Sequence, residues 1–232
     1  MILFLAAAAA AAAAAAPQAQ ACPDVVTPDA LVCRALSAQK GGDPQSAAQS
    51  FEEAAKASSD KEPATARMWA AAGNMWLAAA QPGKAAFALD RALALPGLEA
   101  EQHGEALLDR ARAAEAQGDL KTARAKLTEA AGSISGDPFY WYFSAALAIR
   151  EQDPTTAQAA IGKALSLAPS DPTILFEAGH VADFTGDDDK ARRYWGQAAA
   201  LDPHGPVGKA AAKAQELLGV TPAVKMEAAP PK

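Results

Sequence analysis

The sequence predicts an all-α solenoid of stacked helix pairs, and three observations carry that prediction. Five segments, starting at Pro28, Ala66, Gly104, Pro138 and Pro172, align on one 34-residue template, counting each segment from its own first residue. Alanine holds position 20 in all of them (Ala47, Ala85, Ala123, Ala157, Ala191) and position 27 as well (Ala54, Ala92, Ala130, Ala164, Ala198). Position 8 takes only the smallest residues (Ala35, Gly73, Ala111, Ala145, Gly179), while positions 4 (Leu31, Trp69, Leu107, Trp141, Leu175) and 24 (Phe51, Leu89, Leu127, Ile161, Trp195) are bulky and apolar. A fixed period near 34 marks a helical array whose units bury their apolar faces only by stacking on one another. Composition agrees, because much of the 50 % hydrophobic content is alanine, a strong helix former, whereas aromatics reach only 6 %.

The 232 residues carry a formal charge of -6 and a pI near 5.1. Nucleic-acid backbones and anionic lipid surfaces both demand a basic footprint, so the charge points to a protein or peptide partner and away from nucleic acid.

Taken in order, residues 1–21 read as a secretory signal. Ile2 to Ala16 is an uncharged apolar run, shorter than the roughly 20 residues that span a bilayer, and Ala19-Gln20-Ala21 fits cleavage before Cys22. No Lys or Arg precedes the run, which departs from the usual pattern and keeps an uncleaved anchor as the alternative. Processing at residue 22 leaves no stable membrane insertion and places the chain in an exported, periplasmic setting. Residues 22–27 form an extended segment, in which Cys22 can pair with Cys33, closing a loop worth about 2–3 kcal/mol. The alternative is a lipid anchor on Cys22, although Ala19 and Gln20 depart from the residues that usually precede a lipidated cysteine. Two cysteines without a nearby histidine make no closed metal-ligand set.

The array occupies 28–205, in units of about 28–61, 66–99, 104–137, 138–171 and 172–205. Asp43, Asp119, Asp153 and Asp187 stand at position 16, where a carboxylate caps a helix N-terminus. Gly42, Gly118 and Gly186 precede three of them and suit a left-handed helix end. Helix pairs are expected at 28–40 with 44–57, 63–79 with 83–94, 101–117 with 120–132, 138–151 with 154–167, and 172–184 with 188–200. A capping helix at 206–218 follows from the stripe Val207, Ala211, Ala214, Leu217 and Leu218. The Pro- and Ala-rich tail 219–232 is expected to be disordered.

Small residues at 8, 20 and 27, bulky ones at 4 and 24, and Pro169 and Pro203 at position 32 resemble the tetratricopeptide repeat. The resemblance covers residues 28–205 and is clearest over 138–203. Arg34 and Arg110 depart from it at position 7, and alanine fills position 11 in four units, so the first and third units are expected to pack more loosely. The resemblance implies a right-handed superhelix whose first helices line a concave groove that receives a peptide or protein. Its groove positions are 2, 5, 9, 12 and 13, which name Phe139, Tyr142, Ile149 and Arg150 in the fourth unit and Phe176, His180, Asp183 and Phe184 in the fifth. Leu108 and Arg112 of the third unit adjoin them. Aromatics concentrated at exposed positions suit an interface; the opposing reading packs them against the next unit, the tail or the capping helix. Arg67 and Asn74 form a secondary groove, loosely similar to the charged clamp by which some such repeats hold a C-terminal carboxylate. The clamp's lysine is absent, Val32 standing in its place.

No catalytic constellation is visible. His103, His180 and His204 lack partners at metal-ligand spacing, Asp187-Asp188-Asp189 lacks the alternation of a calcium loop, and neither a phosphate loop nor a serine elbow occurs, so no metal and no cofactor are implied. Arg124, Lys121, Lys126, Arg192 and Arg193 read as a solvated convex face. The expected function is a non-enzymatic adaptor in the periplasm. The alternatives are an obligate subunit or assembly factor of a cell-envelope machine and a groove that stacks on polysaccharide, while the oligomeric state is left open.

Overall fold

The computed structural model describes residues 22–218, and all the regular structure among them is helical. The helices are α1 (Pro28–Lys40), α2 (Pro44–Ala57), α3 (Pro63–Ala78), α4 (Pro82–Ala94), α5 (Ala100–Ala116), α6 (Leu120–Ile134), α7 (Pro138–Arg150), α8 (Pro154–Leu167), α9 (Pro172–Phe184), α10 (Asp188–Leu201) and α11 (Pro206–Leu218). Their ends fall within two residues of those read from the sequence. The expected signal segment 1–21 and tail 219–232 lie outside the described residues.

Each unit turns from its first helix to its second by the same backbone device. The N–H groups of Asp43, Gln81, Asp119, Asp153 and Asp187 bond back to the carbonyls of Ala38, Trp76, Ala114, Ala148 and Ala182, at 2.8 to 2.9 Å. The residue just before each of those donors sits at positive φ: Gly42, Ala80, Gly118, Gln152 and Gly186. Four of the donors then cap the second helix, as Asp43, Asp119, Asp153 and Asp187 accept from the N–H groups of Ser46, Thr122, Thr156 and Lys190 at 3.0 Å. Asp137 and Asp171 cap α7 and α9 in the same manner.

Nearest-neighbour stacking builds the core. The first apolar cluster runs from α1 to α5, the next joins α5 and α6 to Tyr140, Phe143 and Leu147 of α7, the third joins α7 and α8 to Ile174, Ala178 and Val181 of α9, and the last ends on Ala211 of α11. The glycines at position 8 permit close approach, because a Cβ on Gly73 would collide with the Leu89 side chain and one on Gly179 with the Trp195 indole. Helix α11 packs on α9 and α10.

One expectation changes here. Arginine at position 7 does not loosen the units that carry it. Arg34 donates to the carbonyls of Pro23 and Val25 at 2.8 and 3.0 Å, pinning the N-terminal segment that the Cys22–Cys33 disulfide also ties to α1. Arg110 pairs with Asp90 at 2.7 Å and so fastens α5 to α4.

Candidate functional site

The curvature follows from which helices meet. Among first helices α3 touches α5 and α7 touches α9, whereas successive second helices make no comparable contact, so the first-helix side is the inner, concave one. Between α5 and α7 the backbones stand further apart than in those two pairs. An ion pair between Arg150 of α7 and Glu115 of α5 spans that gap.

The aromatic half of the groove is built on α7 and α9. Phe139 is 45 % exposed and meets Tyr142 edge to face, with ring centroids 6.3 Å apart. Tyr142 is half-buried, and burial pushes its phenol above the usual value; Glu177 adds to the rise while Arg112 opposes it. That ring therefore lies within electrostatic reach of α5, α7 and α9 together. Phe176 lies against His180 at 4.3 Å, and His180 against Trp195 at 5.6 Å. The Trp195 indole donates to the Phe176 carbonyl at 3.0 Å, locking this ladder to α10. Ile149 and Phe184 are partly buried in the cluster joining α7 to α9, and Leu108 in the one joining α5 to α7, so each offers the groove only an edge. Arg112, Arg150 and Asp183 stay exposed, Arg112 pairing with Asp109 at 2.8 Å.

A second feature lies at the other end of the concave face, between α3 and α5. A cleft of about 240 Å³ is lined by Arg67, Ala70, Ala71 and Asn74 of α3, by Gln102, Glu105, Ala106 and Asp109 of α5, and by Leu98 between the two units. Arg67 donates to the Gly97 carbonyl at 3.2 Å and Asn74 to Asp109 at 2.7 Å. The resemblance to a carboxylate clamp does not extend to this chemistry. The two donors are engaged within the chain, and the groups facing them are themselves acidic.

Sequence reasoning missed Glu105, Asp109 and Glu177. Glu105 occupies groove position 2 of the third unit, so the template alone could have flagged it. Glu177 is 7 % exposed beneath the aromatic ladder, with His180 Nδ1 at 3.4 Å from its carboxylate, and no periodic signal marks it. Arg124 does not belong to a solvated convex face. It is half-buried, bonds both oxygens of Glu151 through Nε at 3.0 and 3.2 Å and reaches the Ser144 hydroxyl at 3.2 Å, so it joins the third unit to the fourth.

No family model and no curated protein matches the sequence. Solved structures do match. PilW, described as a widely conserved type IV pilus biogenesis factor, is 20 % identical with a TM-score of 0.66, over 79 % of this chain and 81 % of that one. PilF of Pseudomonas aeruginosa is 16 % identical at a TM-score of 0.62, over 81 % and 82 %. YrrB, described as a TPR protein with an unusual peptide-binding site, is 16 % identical at 0.56, over 79 % and 91 %. The fold is therefore that of a tetratricopeptide-repeat array, as the repeat pattern implied.

Proposed function

We propose that this protein is a non-enzymatic scaffold of the periplasm that holds a peptide or protein segment in the concave groove of its repeat array. The observation that carries the reading is the groove itself. Its wall places Phe139, Tyr142 and Arg112 from successive units near one another, at a stretch where α5 and α7 part and leave side chains of both accessible. Amphipathic aromatics beside an arginine are the residue types that dominate interface energetics. The peptide-binding site described for YrrB is compatible with this use of the fold.

Export is supported by the Cys22–Cys33 disulfide, since such bonds persist in oxidising compartments. No described helix is long and apolar enough to cross a membrane. The likeness to PilW supports a second reading, an assembly factor of an envelope machine. The two separate in solution, where an adaptor purifies as a soluble monomer and an obligate subunit as an oligomer or an insoluble chain.

The test uses the chain from residue 22 and a Phe139→Ala, Tyr142→Ala variant whose helicity is confirmed by circular dichroism. Partners captured from an envelope fraction by the first and lost by the second support the groove. Equal capture by both moves the site elsewhere. Fractionation that finds the chain in the cytoplasm with residues 1–21 retained rejects the placement.

A further inference from the structure

We infer that the cleft between α3 and α5 receives a basic side chain, lysine or arginine, of the segment bound in the groove. The inference rests on the groove reading above and adds to it the chemistry of one anchor. The first argument is shape. The cleft holds about 240 Å³ between two packed first helices, and Ala70, Ala71, Ala106 and Leu98 give it an apolar lining. Glu105 and Asp109 line it beside them. A long aliphatic stem with a charged head needs this combination, because the stem can lie on apolar surface while the head reaches a polar rim.

Charge is the second argument. Glu105 lies in the field of Glu101, Asp109 and Asp137, and burial and those three carboxylates in turn raise its pKa. No cation pairs with Glu105 among the described residues. Of the two arginines nearby, Arg112 is neutralised by Asp109 at 2.8 Å, whereas Arg67 keeps its charge while its guanidinium is turned to the Gly97 carbonyl at 3.2 Å, and neither pairs with Glu105. Asp109 is already oriented by Asn74 at 2.7 Å, so its carboxylate is held in place before any ligand arrives. An incoming cation relieves the repulsion around Glu105 and makes charge-assisted bonds in a partly dry cleft; an incoming carboxylate adds to that repulsion.

Position adds a third constraint. The cleft lies between the second and third units, and Phe139 and Tyr142 lie in the fourth, so the separation is one to one and a half units, about 10–15 Å along the groove at the usual spacing of packed helices. An extended segment covers that distance in about four residues. The segment then carries its basic residue about four positions from an apolar or aromatic one.

The experiment selects binders from a random dodecapeptide display library on the chain from residue 22, then measures one selected peptide by fluorescence anisotropy. The expected pool is enriched in lysine and arginine spaced about four residues from an aromatic or aliphatic residue. Glu105→Lys should weaken the selected peptide about tenfold, Glu105→Gln by less, and changing the peptide's basic residue to glutamate should recover binding to Glu105→Lys. Glu105 is exposed on α5, and circular dichroism confirms that both variants fold. Peptides that lose binding with the Phe139→Ala, Tyr142→Ala variant yet show no basic enrichment, or no response at Glu105, overturn the basic cleft and leave the groove standing. A library that yields no binder to the wild-type chain overturns the groove reading, and the cleft with it.

Discussion

The junction from α2 to α3 and the junction from α6 to α7 are the same step in the repeat, yet they are joined by different physics. At the first, Trp69 and Trp76 of α3 pack with Phe51 and Ala55 of α2 in one buried cluster, and the Trp76 indole donates to Glu52 at 3.0 Å. Trp76 fills position 11, which is alanine in the other four units. At the second, α7 offers Ala148 at that position and the backbones pack less closely. Polar ties make up part of the difference, from Arg124 to Glu151 and Ser144, and from Arg150 to Glu115. A junction closed by one large apolar side chain is tight and dry. One closed by ion pairs stays open enough to leave Phe139, Arg112 and Arg150 exposed in the groove.

The largest test of this contrast is Trp76→Ala. Loss of a fully buried indole should cost about 3–5 kcal/mol, read as a fall in the denaturation midpoint, and should be insensitive to salt. A loss below about 1 kcal/mol would mean that the first junction is not held by this residue. Next in size is a reciprocal pair at position 8. Gly73→Ala drives a methyl into Leu89 and should cost about 1–3 kcal/mol, whereas Ala145→Gly, at a site where the methyl already fits, should cost about 1 kcal/mol through backbone entropy. Equal costs would erase the distinction in packing.

A double-mutant cycle on Arg124 and Glu151 probes the polar junction directly. Their side chains are 30 % and 23 % exposed, so the coupling should be about 1 kcal/mol, at the upper end for accessible pairs, and should shrink in molar salt. A coupling unchanged by salt would make this junction as dry as the other.

The helices were legible because periodicity, caps and proline agree at nearly every boundary. What escaped was set by tertiary closure. Ala80 and Gln152 adopt positive φ, where sequence points to glycine in the other three units, because the bonds from Gln81 to Trp76 and from Asp153 to Ala148 close the same turn regardless of the residue. Replacing either with glycine should stabilise the protein by about 0.5 kcal/mol, the relief of left-handed strain less the added entropy of the unfolded chain. The candidate site was legible only where one residue type recurred at template positions, as with the aromatics of α7 and α9. The cleft escaped because it needs side chains from two units, Glu105 and Asp109 facing Asn74 and Arg67, and no single period brings them together. Arg124 escaped for the same reason: a charge on a second helix looks solvated until Glu151 of the next unit is placed beside it.

Acid gives the smallest effect and separates unit two from its neighbours by a different lever. Asp43, Asp119, Asp153 and Asp187 have carboxyls held below the usual 3.8, first by side-chain hydrogen bonds with Ser46, Thr122, Thr156 and Lys190 and then by those residues' backbone N–H groups. A depressed native value means the stabilisation is fully present above the unfolded pKa and is lost as pH falls through the native one. Stability should therefore be level with respect to these groups down to about pH 4.5 and decline below about pH 4. Helices α3 and α4 start at Glu62 and Gln81, which make no side-chain cap bond, so they have no such contribution to lose. Amide-exchange protection at pH 3 relative to pH 5 should then fall first at the N-terminal turns of α2, α6, α8 and α10 and last in unit two. Uniform loss along the chain would show that the array opens as one unit, with unit two no more resistant than the rest.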